Sequence, residues 1–304
     1  MPGPRSARRV RLWRVADRPR PKLVLQDNER FLDLSQHLGE AAGDLAGLLA
    51  ADFFTAARLD ALLAEGSWSE VEPPRNVLTP LDARQVGKVL ALGKNFRAHA
   101  QEFGEEPPEQ PLFFNKLPET LVAHGAQVTV PSWYTERFDH EAELALVIGR
   151  GGRDIAPERA FEHVAGYTVA NDLTARTLQG RDRKLQHPWF RAKNMPGSCP
   201  LGPCLVPRDH LDVSGLRVTC RVRKAGASEW EQRQDASTAD WITDVPNALV
   251  WLSRHLPLNP GDVILMGTPA GVGPLQDGDE VECAVEGIGA LANRIARPVV
   301  ASAR

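Results

Sequence analysis

The stretch Asp139-His140-Glu141-Ala142-Glu143-Leu144-Ala145-Leu146-Val147-Ile148 decides how the chain is read. Side chains alternate across a strand, so Ala142, Leu144, Leu146 and Ile148 share one face while Asp139, Glu141 and Glu143 share the other. The second face continues as Ala145 and Val147, which predicts cover on both sides, and two neighbouring glutamates under such cover need a cation. The competing reading is an amphipathic strand with its acidic side in water. A third carboxylate, Asp172, closes another apolar run, Val164-Ala165-Gly166-Tyr167-Thr168-Val169-Ala170-Asn171. Asp172 can equally cap a helix ahead of Leu173-Thr174-Ala175-Arg176. Acting together, three carboxylates form an oxygen-only donor set, which selects Mg²⁺, Mn²⁺ or Ca²⁺ over zinc and leaves positions for water and substrate.

Outward from this stretch the chain reads as short apolar or β-branched runs punctuated by Gly and Pro: Lys88 to Leu92, Leu144 to Ile148, Val164 to Ala170, Leu216 to Val222, Val263 to Met266 and Glu280 to Val285. The clearest helix is Val245 to His255, with Pro246 near its start and Val245, Leu249 and Leu252 at helical spacing. The predicted class is α+β, mainly β. Residues 1–72 read as a small N-terminal subdomain, with strands at Val10 to Val15, Lys22 to Leu25 and Phe31 to Leu34 and a helical stretch from Leu45 to Leu63. Pro73, Pro74 and Pro80 within Gly66 to Pro80 suggest a linker, and residues 73–304 a catalytic domain.

Composition excludes several classes of function. Hydrophobic residues make up 42% of the 304, and no apolar run reaches the length a membrane helix needs. A net charge of -3, with aromatic and basic residues not interleaved, argues against a nucleic-acid partner. Cys199, Cys204, Cys220 and Cys283 lack zinc-site spacing and read as reduced thiols. Arg5, Arg8, Arg9, Arg11 and Arg14 accompany no apolar signal segment, so a frayed tail before a first strand and a cytoplasmic address are expected.

Further polar groups cluster in turn-like or apolar settings. Gly93-Lys94-Asn95-Phe96-Arg97-Ala98-His99-Ala100-Gln101-Glu102 turns from a strand into a short helix that brings His99 and Glu102 to one face, as a water-activating base needs. An exposed His-Glu pair is the plainer alternative. Lys193, among Trp189, Phe190 and Arg191, suits a developing oxyanion or simply reaches for solvent. The loop Gly267-Thr268-Pro269-Ala270-Gly271-Val272-Gly273 can aim N–H groups at a substrate carboxylate or serve as a turn. Lys116, in Phe113-Phe114-Asn115-Lys116, is a second candidate cation.

Taken in order, these segments resemble the fumarylacetoacetate hydrolase family from about Val86 to Arg294. Gly93, Asn95, His99 and Glu102, then Phe113 to Lys116, Asp139-x-Glu141-x-Glu143, Asn171-Asp172-Leu173-Thr174-Ala175-Arg176, Lys193, Gly202-Pro203, Gln234, Pro260-Gly261-Asp262 and Gly267-Thr268-Pro269 carry the likeness. The resemblance implies a mixed β-sandwich roll, a homodimer, and Mg²⁺ or Mn²⁺ on Glu141, Glu143 and Asp172, with Ca²⁺ as a stand-in in a crystal. It implies His99, Glu102 and Lys193 in catalysis, the first two on a lid segment that orders with substrate. Lys116, Arg176, Gln179, Gln234, Gly267 and Thr268 would bind a small 2-oxo acid, and the N-terminal part resembles the extra domain of bacterial members. Two departures, His140 for an aromatic residue and Asn194-Met195-Pro196-Gly197 for a Phe-Asp pair, put the substrate in question more than the metal.

The expected reaction is hydrolysis of a carbon–carbon bond in an acylpyruvate-like 2,4-dioxo acid. Decarboxylation of oxaloacetate-like acids, isomerisation of a 2-hydroxymuconate-type diene and sugar-acid dehydration share its enolate chemistry. A metal-binding protein without activity is the alternative of another class, and it would not need a general base.

Overall fold

The computed structural model describes residues 8–66, 68–102, 104, 106 and 108–298. Of the expected frayed tail, residues 1–7 lie outside that range. Three strands open the chain, β1 (Val10–Val15), β2 (Lys22–Asp27) and β3 (Arg30–Asp33), followed by helices α1 (Ser35–Leu38), α2 (Leu45–Ala50) and α3 (Ala56–Glu65). The single helical stretch expected over Leu45 to Leu63 is therefore two helices. Asp52 breaks it with a φ of 52°, a conformation that ends a helix, and the turn buries Phe54.

Next come β4 (Val89–Gly93), α4 (Arg97–Glu102), β5 (Leu112–Lys116), β6 (Leu121–Val122), β7 (Gln127–Thr129), β8 (Phe138–Asp139), β9 (Ala142–Ile148), β10 (Val164–Asn171) and β11 (Thr174–Ala175). Helices α5 (Arg176–Lys184) and α6 (Phe190–Lys193) precede β12 (Cys199–Pro207), β13 (Arg217–Arg223) and β14 (Glu231–Ser237). The last described elements are α7 (Val245–His255), β15 (Val263–Leu265), β16 (Glu280–Val285) and β17 (Gly289–Ala296).

Ten strands form one mixed sheet, ordered β3-β2-β1-β12-β10-β9-β15-β4-β5 with β6 beside β12. A second sheet of five runs β14-β13-β16-β17-β7. Alternation along β9 explains how the layers stack. Leu144, Leu146 and Ile148 join a core with Val218, Val281 and Val285 of the second sheet and Leu249 of α7. Ala145 and Val147 join the opposite core, with Leu45, Leu49 and Leu59 from the N-terminal helices. Every residue of β9 is buried, and each large aliphatic side chain so placed contributes about 1.5–3 kcal/mol. Gly166 on β10 is required by close approach, since a Cβ there would meet the Val206 carbonyl oxygen at 2.5 Å.

The N-terminal strands continue the large sheet, joined where Leu12 faces Leu205. The expected linker runs along them, with Val71 N donating to Phe31 O and Leu78 N to Arg14 O, each at 2.8 Å. All four cysteines are free and buried. Among the described residues no helix is long and apolar enough to cross a membrane.

Candidate metal centre and active site

The expected continuous strand from Asp139 is interrupted. Asp139 pairs with Thr174 in the small β8–β11 ladder, and pairing resumes only at Ala142, opposite Asn171 on β10. Glu141 lies in the gap, where its N–H donates to Asn171 Oδ1 at 2.9 Å and its carbonyl accepts from Asp172 N at 2.8 Å. The change of partner strand thus brings Asp172 beside Glu141. Glu143 follows on β9, opposite Ala170. Asp172 does not cap α5, which starts at Arg176 and has no side-chain cap. Glu141, Glu143 and Asp172 are 3%, 1% and 0% exposed and offer ligand atoms within 4.8 Å of one another.

Two of these carboxylates have strong protein partners. Lys193 Nζ donates to Glu141 Oε2 at 2.7 Å and to Asp172 Oδ2 at 2.5 Å. Lys116 Nζ lies 2.8 Å from Asp172 Oδ1. Arg176 donates through Nη2 to Glu141 and through Nε to Asp139 Oδ2 at 2.9 Å. Burial alone would raise Glu141, but Lys193 and Arg176 outweigh it and hold its pKa well below the usual range. Burial would likewise lower Lys193, and Asp172 and Glu141 raise it instead.

Glu143 is placed differently. Its Oε2 accepts the Gly267 N–H at 2.5 Å, and burial, with Asp172 and Glu141 alongside, pushes its pKa well above the ordinary value. A buried carboxylate facing two others is the electrostatic demand that a divalent cation meets, and all-oxygen donors suit Mg²⁺ or Mn²⁺. The residues present fit such an ion.

The candidate base lies on α4. His99 Nδ1 is 3.2 Å from Glu102 Oε2, and Glu102 Oε1 accepts the Gly271 N–H at 3.2 Å. Burial raises the Glu102 pKa, but the His99 and Gly271 hydrogen bonds prevail and lower it. The turn ahead of α4 is pinned by Asn95, whose Nδ2 donates to the Thr243 and Met266 carbonyls at 2.9 and 2.8 Å. Gly267, at φ 89°, permits this packing, because a Cβ there would lie 2.7 Å from Asn95 Cβ.

A cavity of about 270 Å³ brings together Glu141, Glu143, Asp172, His99, Arg176, Gln179, Lys193 and Thr268. The other expected site residues lie outside its lining. Glu102 backs His99, and Lys116 is buried under Asp172, with Nζ also donating to the Lys193 carbonyl. The Gly267 N–H, expected to face a substrate carboxylate, is taken by Glu143. Gln234 is fully buried as a clamp: Oε1 accepts Ala142 N at 3.0 Å, while Nε2 donates to Thr268 Oγ1 at 2.8 Å and to the Pro269 carbonyl at 2.7 Å.

The two departures from the family pattern also lie outside the lining. Burial pushes His140 down to about 4, and its Nδ1 is 3.2 Å from Gln234 Oε1. Asn194 ties α6 to β5, donating to Phe190 O at 2.8 Å and to Asn115 O at 3.2 Å. Lys94, Phe114, Arg183 and Trp189 do line the cavity, and sequence reasoning assigned them no role there. The spacing of Arg183 from Arg176 and Gln179 along one helical face could have indicated it.

Residues 88–296 match the family model described as fumarylacetoacetate (FAA) hydrolase C-terminal. The chain belongs to the fumarylacetoacetate hydrolase family. Over 95% of this chain and all of the other, the fold resembles the fumarylacetoacetate hydrolase of Exiguobacterium antarcticum, with TM-score 0.80 and 31% identity. The fumarylpyruvate hydrolase of Pseudomonas aeruginosa, solved with Mn²⁺ and pyruvate, aligns with TM-score 0.65 and 35% identity over 70% of this chain and 91% of its own. A mitochondrial oxaloacetate tautomerase of Xenopus laevis is 31% identical over 96% of this chain and 91% of its own length.

Proposed function

We propose that the chain hydrolyses the carbon–carbon bond of an acylpyruvate-like 2,4-dioxo acid, releasing a carboxylic acid and the enolate of a small 2-oxo acid. The observation that carries this reading is His99, backed by Glu102, lining the same cavity as Glu141, Glu143, Asp172 and Lys193. A divalent ion held by the three carboxylates would supply Lewis acidity toward the substrate's carboxylate and 2-oxo group.

Glu102 orients His99, so His99 can take a proton from water as oxygen attacks the distal carbonyl. The carbon–carbon bond then breaks and its electron pair passes to the pyruvyl unit as an enolate. Lys193 offers an ammonium to the developing oxyanion. Thr268 Oγ1 accepts from Gln234, which leaves its own proton available to a substrate oxygen. Reprotonation at carbon by His99 releases pyruvate and a carboxylic acid.

A second reading, keto–enol tautomerisation of oxaloacetate, is favoured by the full-length likeness to an oxaloacetate tautomerase. It needs a proton delivered to carbon and one removed from the enol oxygen, with no water added and no carbon–carbon bond broken. The test is turnover of acetylpyruvate, fumarylpyruvate and enol-oxaloacetate by the Mn²⁺-loaded protein, following pyruvate, acid, carbon dioxide and enol absorbance. Hydrolysis predicts pyruvate and acid in equal amounts. Loss of the oxaloacetate enol alone would replace it with the tautomerase, and inertness toward all three would reject both.

A further inference from the structure

We propose that Cys220 and Cys283 form a modification site: a dithiol that hydrogen peroxide closes to a disulfide, which in turn loosens the Gln234 clamp and weakens the metal centre. The second half rests on the reading of Glu141, Glu143 and Asp172 as metal ligands, and the first half does not.

The two cysteines face one another across neighbouring antiparallel strands, Cys220 on β13 paired in register with Cys283 on β16. Directly opposed residues have Cα atoms about 4.5–5.5 Å apart, inside the range a disulfide spans. Both thiols are free and their sulfurs are 4.0 Å apart, so closing the bond takes a relative movement of about 2 Å. Cys204 instead directs its thiol to the Ile288 carbonyl, 3.5 Å away.

Gln234 belongs to the same row of side chains, paired with Cys220 from the other side on β14. A bulge follows immediately. Cys220 faces Gln234 and Arg221 faces Gln232, which leaves Arg233 as the extra residue, and such bulges re-aim the side chains beside them. His140 completes the group, with Nδ1 3.3 Å from Cys220 Sγ and 3.2 Å from Gln234 Oε1. Because Oε1 already accepts the Ala142 N–H, the contact assigns the ring proton to Nδ1, and that N–H faces both the amide oxygen and the sulfur. Cys220 thus packs against the ring that steadies Gln234, and Gln234 holds Thr268 and the backbone between Glu141 and Glu143. Drawing Cys220 toward β16 takes the sulfur away from that ring.

The Cys220 sulfur, beside an N–H, attacks peroxide first. A sulfur–oxygen bond forms, the oxygen–oxygen bond breaks, and the departing hydroxyl leaves as water with the thiol proton. The Cys283 sulfur then attacks the sulfenic sulfur, the sulfur–oxygen bond breaks, and a second water carries off the Cys283 proton. Two electrons pass from the thiols to the peroxide. Burial and the neighbouring Cys220 push the Cys283 thiol up, but its attack is intramolecular, which offsets a low thiolate fraction. Both residues are 0% exposed, so the oxidant has to be as small as peroxide and reach them through local opening.

The test treats the metal-free full chain with hydrogen peroxide and removes the excess with catalase. Linked peptides are then mapped by mass spectrometry, thiols are counted after unfolding, and Mn²⁺ affinity is measured by electron paramagnetic resonance. The expected result is a Cys220–Cys283 link, a fall from four thiols to two, and Mn²⁺ binding weaker by about tenfold, all reversed by dithiothreitol. Glutathione disulfide, too large to enter, should produce none of these changes. Cys283→Ala should bind Mn²⁺ as the wild type does before and after peroxide, and Cys220→Ala should likewise be unmoved by the oxidant. Absence of the link, a link that leaves Mn²⁺ affinity unchanged, or an equal peroxide loss in Cys283→Ala overturns the inference. Failure of the reduced wild type to bind Mn²⁺ overturns the metal centre and the coupling with it, while the linked peptides still decide the dithiol.

Discussion

The floor of the cavity and its mouth are built from different material. Glu141, Glu143 and Asp172 sit at strand ends, at most 3% exposed, and are held by Lys193, Arg176 and the Gly267 N–H. Toward solvent, Arg183 on α5, which lines the cavity, and Glu102 on α4, behind His99, are both exposed. A floor locked into two packed cores keeps its ligands within a fraction of an ångström, which metal chemistry demands. A mouth made of short helices and turns can change its side chains without disturbing that floor.

The division can be broken from the rim side first. His99→Ala should lower turnover by about 10²- to 10⁴-fold, the usual worth of a positioned base, while Mn²⁺ affinity changes by less than about twofold. Steady-state kinetics beside a metal titration would show it. Equal losses in both would mean that base and floor are one unit.

A smaller effect is expected from Gln234, the side chain that joins the two regions. Gln234→Glu keeps an acceptor for Ala142 N but loses the donors to Thr268 Oγ1 and Pro269 O. Partners that support metal ligands are typically worth about 10- to 100-fold in affinity or activity, so Mn²⁺ affinity and kcat/KM should both fall within that range. Wild-type values for both would remove the clamp from the account.

The sequence showed the floor more clearly than the mouth, for a physical reason. Alternation in Ala142 to Ile148 identified a doubly covered strand, and helical spacing marked Val245 to His255. Both signals are local. The break at His140 and Glu141 is not, because it arises from Asp139 pairing with Thr174 across the chain. Lys116 and Gln234 carry no local sign of where their polar ends go, which tertiary packing sets by burying them against Asp172 and Thr268. The same holds for β1, whose place between β2 and β12 depends on a partner 193 residues away in sequence, Leu205 opposite Leu12. Arg183 was overlooked although its helical spacing was visible, since an arginine in a run of basic residues resembles any solvated face.

The most direct measurement of the central claim is a Mn²⁺ titration followed by electron paramagnetic resonance, on the wild type and on Glu143→Ala, at several pH values. Glu143 has a raised pKa, so below that value it holds a proton that the ion must displace, and affinity should strengthen as pH rises through it, by at most about tenfold per unit for one proton. The account predicts one Mn²⁺ per chain with that pH dependence, and loss of the site in Glu143→Ala. Undiminished binding by Glu143→Ala would contradict it.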